Sequence, residues 1–129
     1  MNVVGPKRYA KAAKAFAQLL CIDDRDFFLK IDFKKKRSTG ACRRLGPASF
    51  LIKIGDKSIV DPPEAILAHE MVHLRQYLTG ELKDVTVWQG TQYEMDGSLD
   101  YYEQPWEIDA FGRQVGLYEK YLTRRYSKK

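Results

Sequence analysis

The chain reads as a single α+β domain spanning residues 1–129, and three patterns predict it. Apolar residues recur at helical spacing over 7–22. Two short stretches, at 27–33 and 50–54, alternate with the period of two that marks a strand with one buried face. The segment after Asp61-Pro62-Pro63 is apolar nearly all round, as in a helix at the centre of a domain.

Taken in order, the first helix carries Tyr9, Ala12, Ala13, Phe16 and Leu20 on one stripe, with Lys7, Lys11, Lys14 and Gln18 opposite. The first strand turns Phe27, Leu29, Ile31 and Phe33 to one side. Residues 35–47, with Gly40 and Gly46, read as a turn or irregular connection, and Phe50, Ile52 and Ile54 mark the second strand. Asp61 is expected to cap the central helix, with Pro62 at its first position and Glu64 completing a capping box. That helix should run to about residue 78, with Gly80 as its terminator. Residues 85–88 and 91–93 are weaker strand candidates. Pro105 opens a last helix to about residue 124, with Phe111, Val115, Tyr118 and Leu122 inward.

Composition narrows the class. Hydrophobic residues make up 44% and charged residues 30%, which suits a globular core and argues against disorder. No apolar run approaches the roughly 20 residues of a bilayer span, so no membrane role is expected. The first residues lack a secretory pattern, so the expected location is cytoplasmic, in a cell or a phage-infected host. Cys21 and Cys42 suggest neither a disulfide framework nor a cysteine zinc knuckle; one is expected buried and one in a loop. The formal net charge of +5 is concentrated in Lys7/Arg8/Lys11/Lys14, 34–37, Arg43/Arg44 and the tail Arg124/Arg125/Lys128/Lys129. With no nucleic-acid motif beside them, these clusters read as solvated faces; nucleic acid is allowed as a partner, not favoured.

The central helix holds His69-Glu70-Met71-Val72-His73, an HExxH pattern containing both histidines of the chain. Residues i and i+4 share a helical face, so both imidazoles can reach one tetrahedral metal ion. Glu70, turned about 100° round the helix from His69, stands beside that ion. It is placed to take a proton from a water whose pKa zinc lowers to about 7. Two imidazoles in so apolar a helix need a polar partner, and one Zn2+ per chain supplies it.

A catalytic zinc site keeps three protein ligands and one open position. A metzincin would need glycine at 76 and histidine at 79, where this chain has Gln76 and Thr79. The third ligand is therefore expected to be a carboxylate, with a cysteine or tyrosine less fitting. Asp84, Asp96, Asp100, Glu103, Glu107 and Asp109 are the candidates. Glu107 is favoured because it lies in the first turn of the last helix, where small Ala110 allows close packing. Glu103 is the reserve, and Asp109 reads as surface charge before support for the site.

With Pro105-Trp106-Glu107-Ile108-Asp109-Ala110, the HExxH pattern resembles the gluzincins, zinc peptidases whose third ligand is a glutamate. The ExxA pattern on a later helix is similar to the ImmA/IrrE-type and phage-encoded minimal gluzincins. Trp88-Gln89-Gly90, Tyr93 and Tyr102 resemble the phage-encoded group in particular. The resemblance covers residues 61–115. It implies a zincin-like minimal metallopeptidase domain, a small mixed or antiparallel sheet packed on the HExxH helix between terminal helices. It also implies zinc on His69, His73 and Glu107, Glu70 as general base, and a peptide or protein substrate. The SprT-type proteases differ in using a histidine as third ligand.

Zincins commonly bind an extended peptide along a sheet edge, and the strand at 49–54 is the expected edge, an ordinary paired strand being the equal alternative. Tyr93, Tyr101, Tyr102, Tyr118 and Arg113 are conceivable donors to an oxyanion, none singled out. Trp88 and Trp106 read as core anchors. The competing reading is an inactive, zinc-stabilised module that binds protein or nucleic acid through its basic faces.

Overall fold

The computed structural model describes residues 1–84, 86–95, 97 and 99–127, the last two by backbone alone. The order is β1 (Asn2–Val4), α1 (Lys7–Leu19), β2 (Phe28–Lys34), β3 (Ala41–Gly46) and β4 (Ser49–Gly55). There follow α2 (Pro63–Thr79), the two-residue strands β5 (Leu82–Lys83), β6 (Val87–Trp88) and β7 (Thr91–Gln92), a 3-10 turn (Tyr101–Glu103) and α3 (Pro105–Ser127). The architecture is α+β, three helices around a small mixed sheet. No described helix is long and apolar enough to cross a membrane.

The main sheet has the order β1-β2-β4-β3. β2 runs parallel to β1 and β4, and β3 runs antiparallel to β4. Alternation sends Leu29 and Ile31 of β2, and Phe50, Ile52 and Ile54 of β4, into the core. Tyr9, Ala12, Ala13, Phe16 and Ala17 of α1 meet the same core. α2 lies at its centre, against β3 and β4 on one side and α3 on another. Every residue of α2 from 64 to 74 is buried, which is why its sequence shows no polar face.

Several expectations need correction. The connection at 35–47 contains β3, whose Ala-Cys-Arg-Arg-Leu-Gly lacks apolar alternation because an end strand is half solvated. β4 is paired on both sides, so the edge beside α2 is β3. Asp61 does not cap α2: the N-cap is Pro62, Pro63 begins the helix, and no side chain caps it. Glu64 turns away to accept from Arg8 Nε at 2.9 Å, a partner 56 residues back. Gly80 does terminate the helix, at φ 78°.

The strand candidates at 85–88 and 91–93 shrink to β6 and β7, which form a small antiparallel sheet with β5; Val85 lies outside the described residues. On α3 the buried stripe is Ala110, Gln114, Leu117 and Tyr121, one position off the expected one; Phe111 and Val115 are exposed. Cys21 is exposed and Cys42 partly buried, both free.

Candidate metal centre

α2 carries His69, Glu70 and His73 on its buried middle turns, and the first turn of α3 brings Glu107 against them. All four are under 9% exposed. Ala110, fully buried one turn after Glu107, lets the two helices approach. The ligand atoms of His69, His73 and Glu107 lie within 4.8 Å of one another, a group that could hold a metal ion. Both Nε2 atoms stand 3.0 Å from the same oxygen, Oε1 of Glu107.

The opposite ring nitrogens are held by amides. Nδ1 of His73 is 2.8 Å from Oε1 of Gln76, and Nδ1 of His69 is 3.0 Å from Oε1 of Gln114. The Gln76 amide is oriented by its own donors, since Nε2 donates to Trp106 O at 2.9 Å and Asp109 Oδ2 at 3.0 Å. Its oxygen must therefore accept from His73, which fixes the proton on Nδ1. A neutral His73 then points a lone pair at a carboxylate oxygen, and at His69 the amide oxygen of Gln114 faces Nδ1 in the same way. Acceptor facing acceptor in a buried site needs either protons or a cation between them. Two imidazole nitrogens and one carboxylate oxygen are the donor set zinc takes, so these residues fit the ion.

Electrostatics follow from the same geometry. Burial alone would raise the Glu107 carboxyl, but where the imidazoles carry a proton on Nε2 their hydrogen bonds, from His69 and His73, outweigh it and hold the group at about 2. Burial alone would lower His73; the hydrogen bond to Glu107 and the charge of Glu70 outweigh that and raise it. Burial pushes the Glu70 carboxyl above its ordinary value, with His73 and His69 opposing and Glu107 assisting. Burial, then the charge of Glu107 and a hydrogen bond to it, raises the Tyr101 phenol.

A cavity of about 240 Å³ opens onto the group, lined among others by Gly40, Cys42, Glu70, Tyr101 and Glu107. Gly40 sits where the chain enters β3: a Cβ there would lie 2.5 Å from Ile66 Cγ2 and 2.8 Å from Glu70 Oε2. Phe111 covers the outer side of His69, with ring centroids 4.4 Å apart.

Of the expected site residues, His69, Glu70, His73 and Glu107 come together. Glu103, the reserve, is exposed on the 3-10 turn; Asp84 and Asp100 are exposed; Asp96 lies outside the described residues. Asp109 is more than surface charge, since it accepts from Gln76 and pairs with Arg113 at 2.8 Å. Among the conceivable oxyanion donors, Tyr101 lines the cavity, whereas Tyr93 packs on Trp106, Tyr102 on Tyr101 and Phe111, and Arg113 on Asp109. Trp106 is a buried anchor and Trp88 a partly buried one. Gln76, Gln114 and Gly40 were not anticipated. For Gln114 a signal existed: it follows Glu107 by two helical turns, on the same face. No family model, curated protein or solved structure matches the chain.

Proposed function

We propose that the protein is a zinc-dependent peptidase of the gluzincin type, with His69, His73 and Glu107 as ligands and Glu70 as general base. The observation that carries this reading is the buried pair of imidazole Nε2 atoms facing one Glu107 oxygen, beside a cavity that His73 and Glu107 line together with Glu70. A purely structural zinc site has no need of that fourth, unligated carboxylate. Zinc held there supplies Lewis acidity toward a scissile carbonyl and toward water.

The chain's own groups do the rest. Glu70, its carboxyl raised by burial, takes a proton from the attacking water and delivers it to the leaving amine. Gln76 and Gln114 keep both Nε2 lone pairs turned into the site. Tyr101, whose phenol reaches Glu107 and lines the same cavity, turns its donor toward the developing oxyanion. The outer edge of β3, which begins at the cavity with Ala41 and Cys42, offers main-chain hydrogen bonds to an extended peptide.

The test combines metal content with hydrolysis of an unfolded protein substrate. One zinc per chain is expected, lost in His73→Ala and Glu107→Ala. In Glu70→Gln the zinc is expected to remain while hydrolysis disappears. A wild type that takes up no zinc when supplied with it, or a Glu70→Gln variant that still cleaves, overturns the reading.

A further inference from the structure

A second feature lies away from the metal centre, where α1 passes the C-terminal half of α3. Lys7, Arg8, Lys11 and Lys14 of α1 and Arg124 and Arg125 of α3 line a groove of about 840 Å³. Among the described residues no acidic side chain lines it. Tyr121, also in its wall, stands fourteen residues beyond Glu107 on α3, about 21 Å along the helix. The groove is thus separate from the site proposed for catalysis, and its argument does not rest on that reading.

The placement of these charges works against folding. α1 begins at Lys7 with no acidic residue in its first turn, so Lys7 and Arg8 sit where the helix dipole is already positive. Lys7 and Lys11 are four apart and Lys11 and Lys14 three apart, both repulsive spacings for like charges. All three lysines are exposed, and among the described residues none is salt-bridged. A bound anion would relieve the repulsion that the fold otherwise carries.

The chemistry of the outward-facing cations selects the anion. Arg8 is engaged by Glu64, at 2.9 Å and 2.7 Å through two nitrogens, and Arg124 donates to Gln18 at 2.9 Å. Arg8, whose two nitrogens hold a carboxylate, is thus already committed to Glu64 within the protein. Beside the exposed Arg8 and Arg125, what faces solvent is a row of lysines, flexible point charges along one helix, suited to successive phosphates. The large apolar side chain in the wall, Tyr121, is 7% exposed, so the groove offers little apolar anchor of the kind that peptide docking relies on. We infer that this groove binds the phosphodiester backbone of one nucleic-acid strand, without base recognition.

Fluorescence anisotropy of the full chain with a labelled single strand of about 20 nucleotides tests this. Contact with three to five phosphates predicts that log affinity falls against log salt with a slope of about −2 to −4. Lys7→Glu/Lys11→Glu/Lys14→Glu is expected to weaken binding about tenfold or more at low salt. Lys7→Glu suits the helix dipole, and all three changes replace repulsion by attraction to the arginines of the groove, so the melting temperature should not fall and the variant remains a fair test. Lys34→Glu/Lys35→Glu/Lys36→Glu makes an equal charge change elsewhere and should alter binding about twofold at most. Undiminished binding by the groove variant, or an equal loss in the control, overturns the inference. So does the absence of binding at low salt. Displacement of the strand by polyglutamate at equal charge concentration would assign the groove to an acidic polypeptide instead.

Discussion

Oε1 of Gln76 lies 2.8 Å from Nδ1 of His73, and this contact decides which ring nitrogen faces Glu107. Because Gln76 spends its amide N–H groups on Trp106 O and Asp109, it cannot turn round and present a donor to the imidazole. Arg113 in turn fixes Asp109 from one turn further along α3. A chain of neutral and charged contacts thus runs from the surface of α3 to a ring in the middle of α2. It orients the imidazole; of its members His73 and Trp106 line the cavity beside Glu70, whereas Gln76, Asp109 and Arg113 are not among its lining residues.

Replacing Gln76 by leucine should keep the fold and lower zinc affinity about 10–100-fold, the range typical when the outer partner of a ligating histidine is lost. Competition with a chromophoric chelator measures it, with the melting curve as the check on folding. Unchanged affinity would mean that His73 is oriented by packing alone.

At the head of α2, the proline at the N-cap and the Arg8–Glu64 pair replace the expected capping box. Asp61→Ala should therefore shift stability by less than about 0.5 kcal/mol, as at an ordinary surface position. A functioning N-cap would instead cost about 0.5–2 kcal/mol. Glu64→Ala, by contrast, removes a buried acceptor whose oxygen also lies 3.9 Å from Arg125, and should lower the melting temperature. Denaturant titration of both variants separates the two accounts.

The residues that meet at the candidate metal centre were legible where the signal was local. His69, Glu70 and His73 sit at the helical spacing that one metal ion would require, and Glu107 lies in the first turn of its helix with small Ala110 three residues further on. The alternating strands and the Gly80 stop were legible for the same reason. What sequence spacing could not convey was pairing across the fold. Glu64 looked like a cap because its partner is 56 residues away. β3 escaped because its exposed Arg43 and Arg44 interrupt any alternation. Gln76 drew notice only as a residue that was not glycine, since an amide gains its meaning here from Trp106 and Asp109 on another helix.

Gly40 is another contact across the fold with a measurable consequence. A methyl group there would meet Ile66 Cγ2 at 2.5 Å, on a branched Cβ that cannot swing clear, and Glu70 Oε2 at 2.8 Å, at the end of an arm that would have to shift. Gly40→Ala should destabilise by about 1–3 kcal/mol through overpacking and displace the Glu70 carboxylate. Gly46→Ala is the control, because the atom its Cβ would meet is 3.8 Å away. If both variants melt and hydrolyse alike, the close approach of β3 to Glu70 has no energetic weight.

The effect of zinc on stability should depend on pH, with a sign set by the buried charges. His73 is raised above its ordinary 6.5, so in metal-free protein its contribution is complete below 6.5 and is lost as pH rises through the raised value. Glu107 is held at about 2 against an ordinary 4.5; its contribution is present above 4.5 and fades only as pH falls toward 2. Glu70, raised by burial, favours the fold below 4.5 and loses that contribution as pH rises through its raised value. On the alkaline side the metal-free site therefore holds lone pairs and carboxylates against one another with no proton between them. Zinc held as proposed would bind those deprotonated groups and compete with protons for them, so its stabilising effect would grow as protons leave. Melting curves with and without zinc should show a shift that increases from about pH 5 to about pH 8. A shift of the same size throughout, or one larger in acid, would mean that zinc binds away from His73 and Glu107.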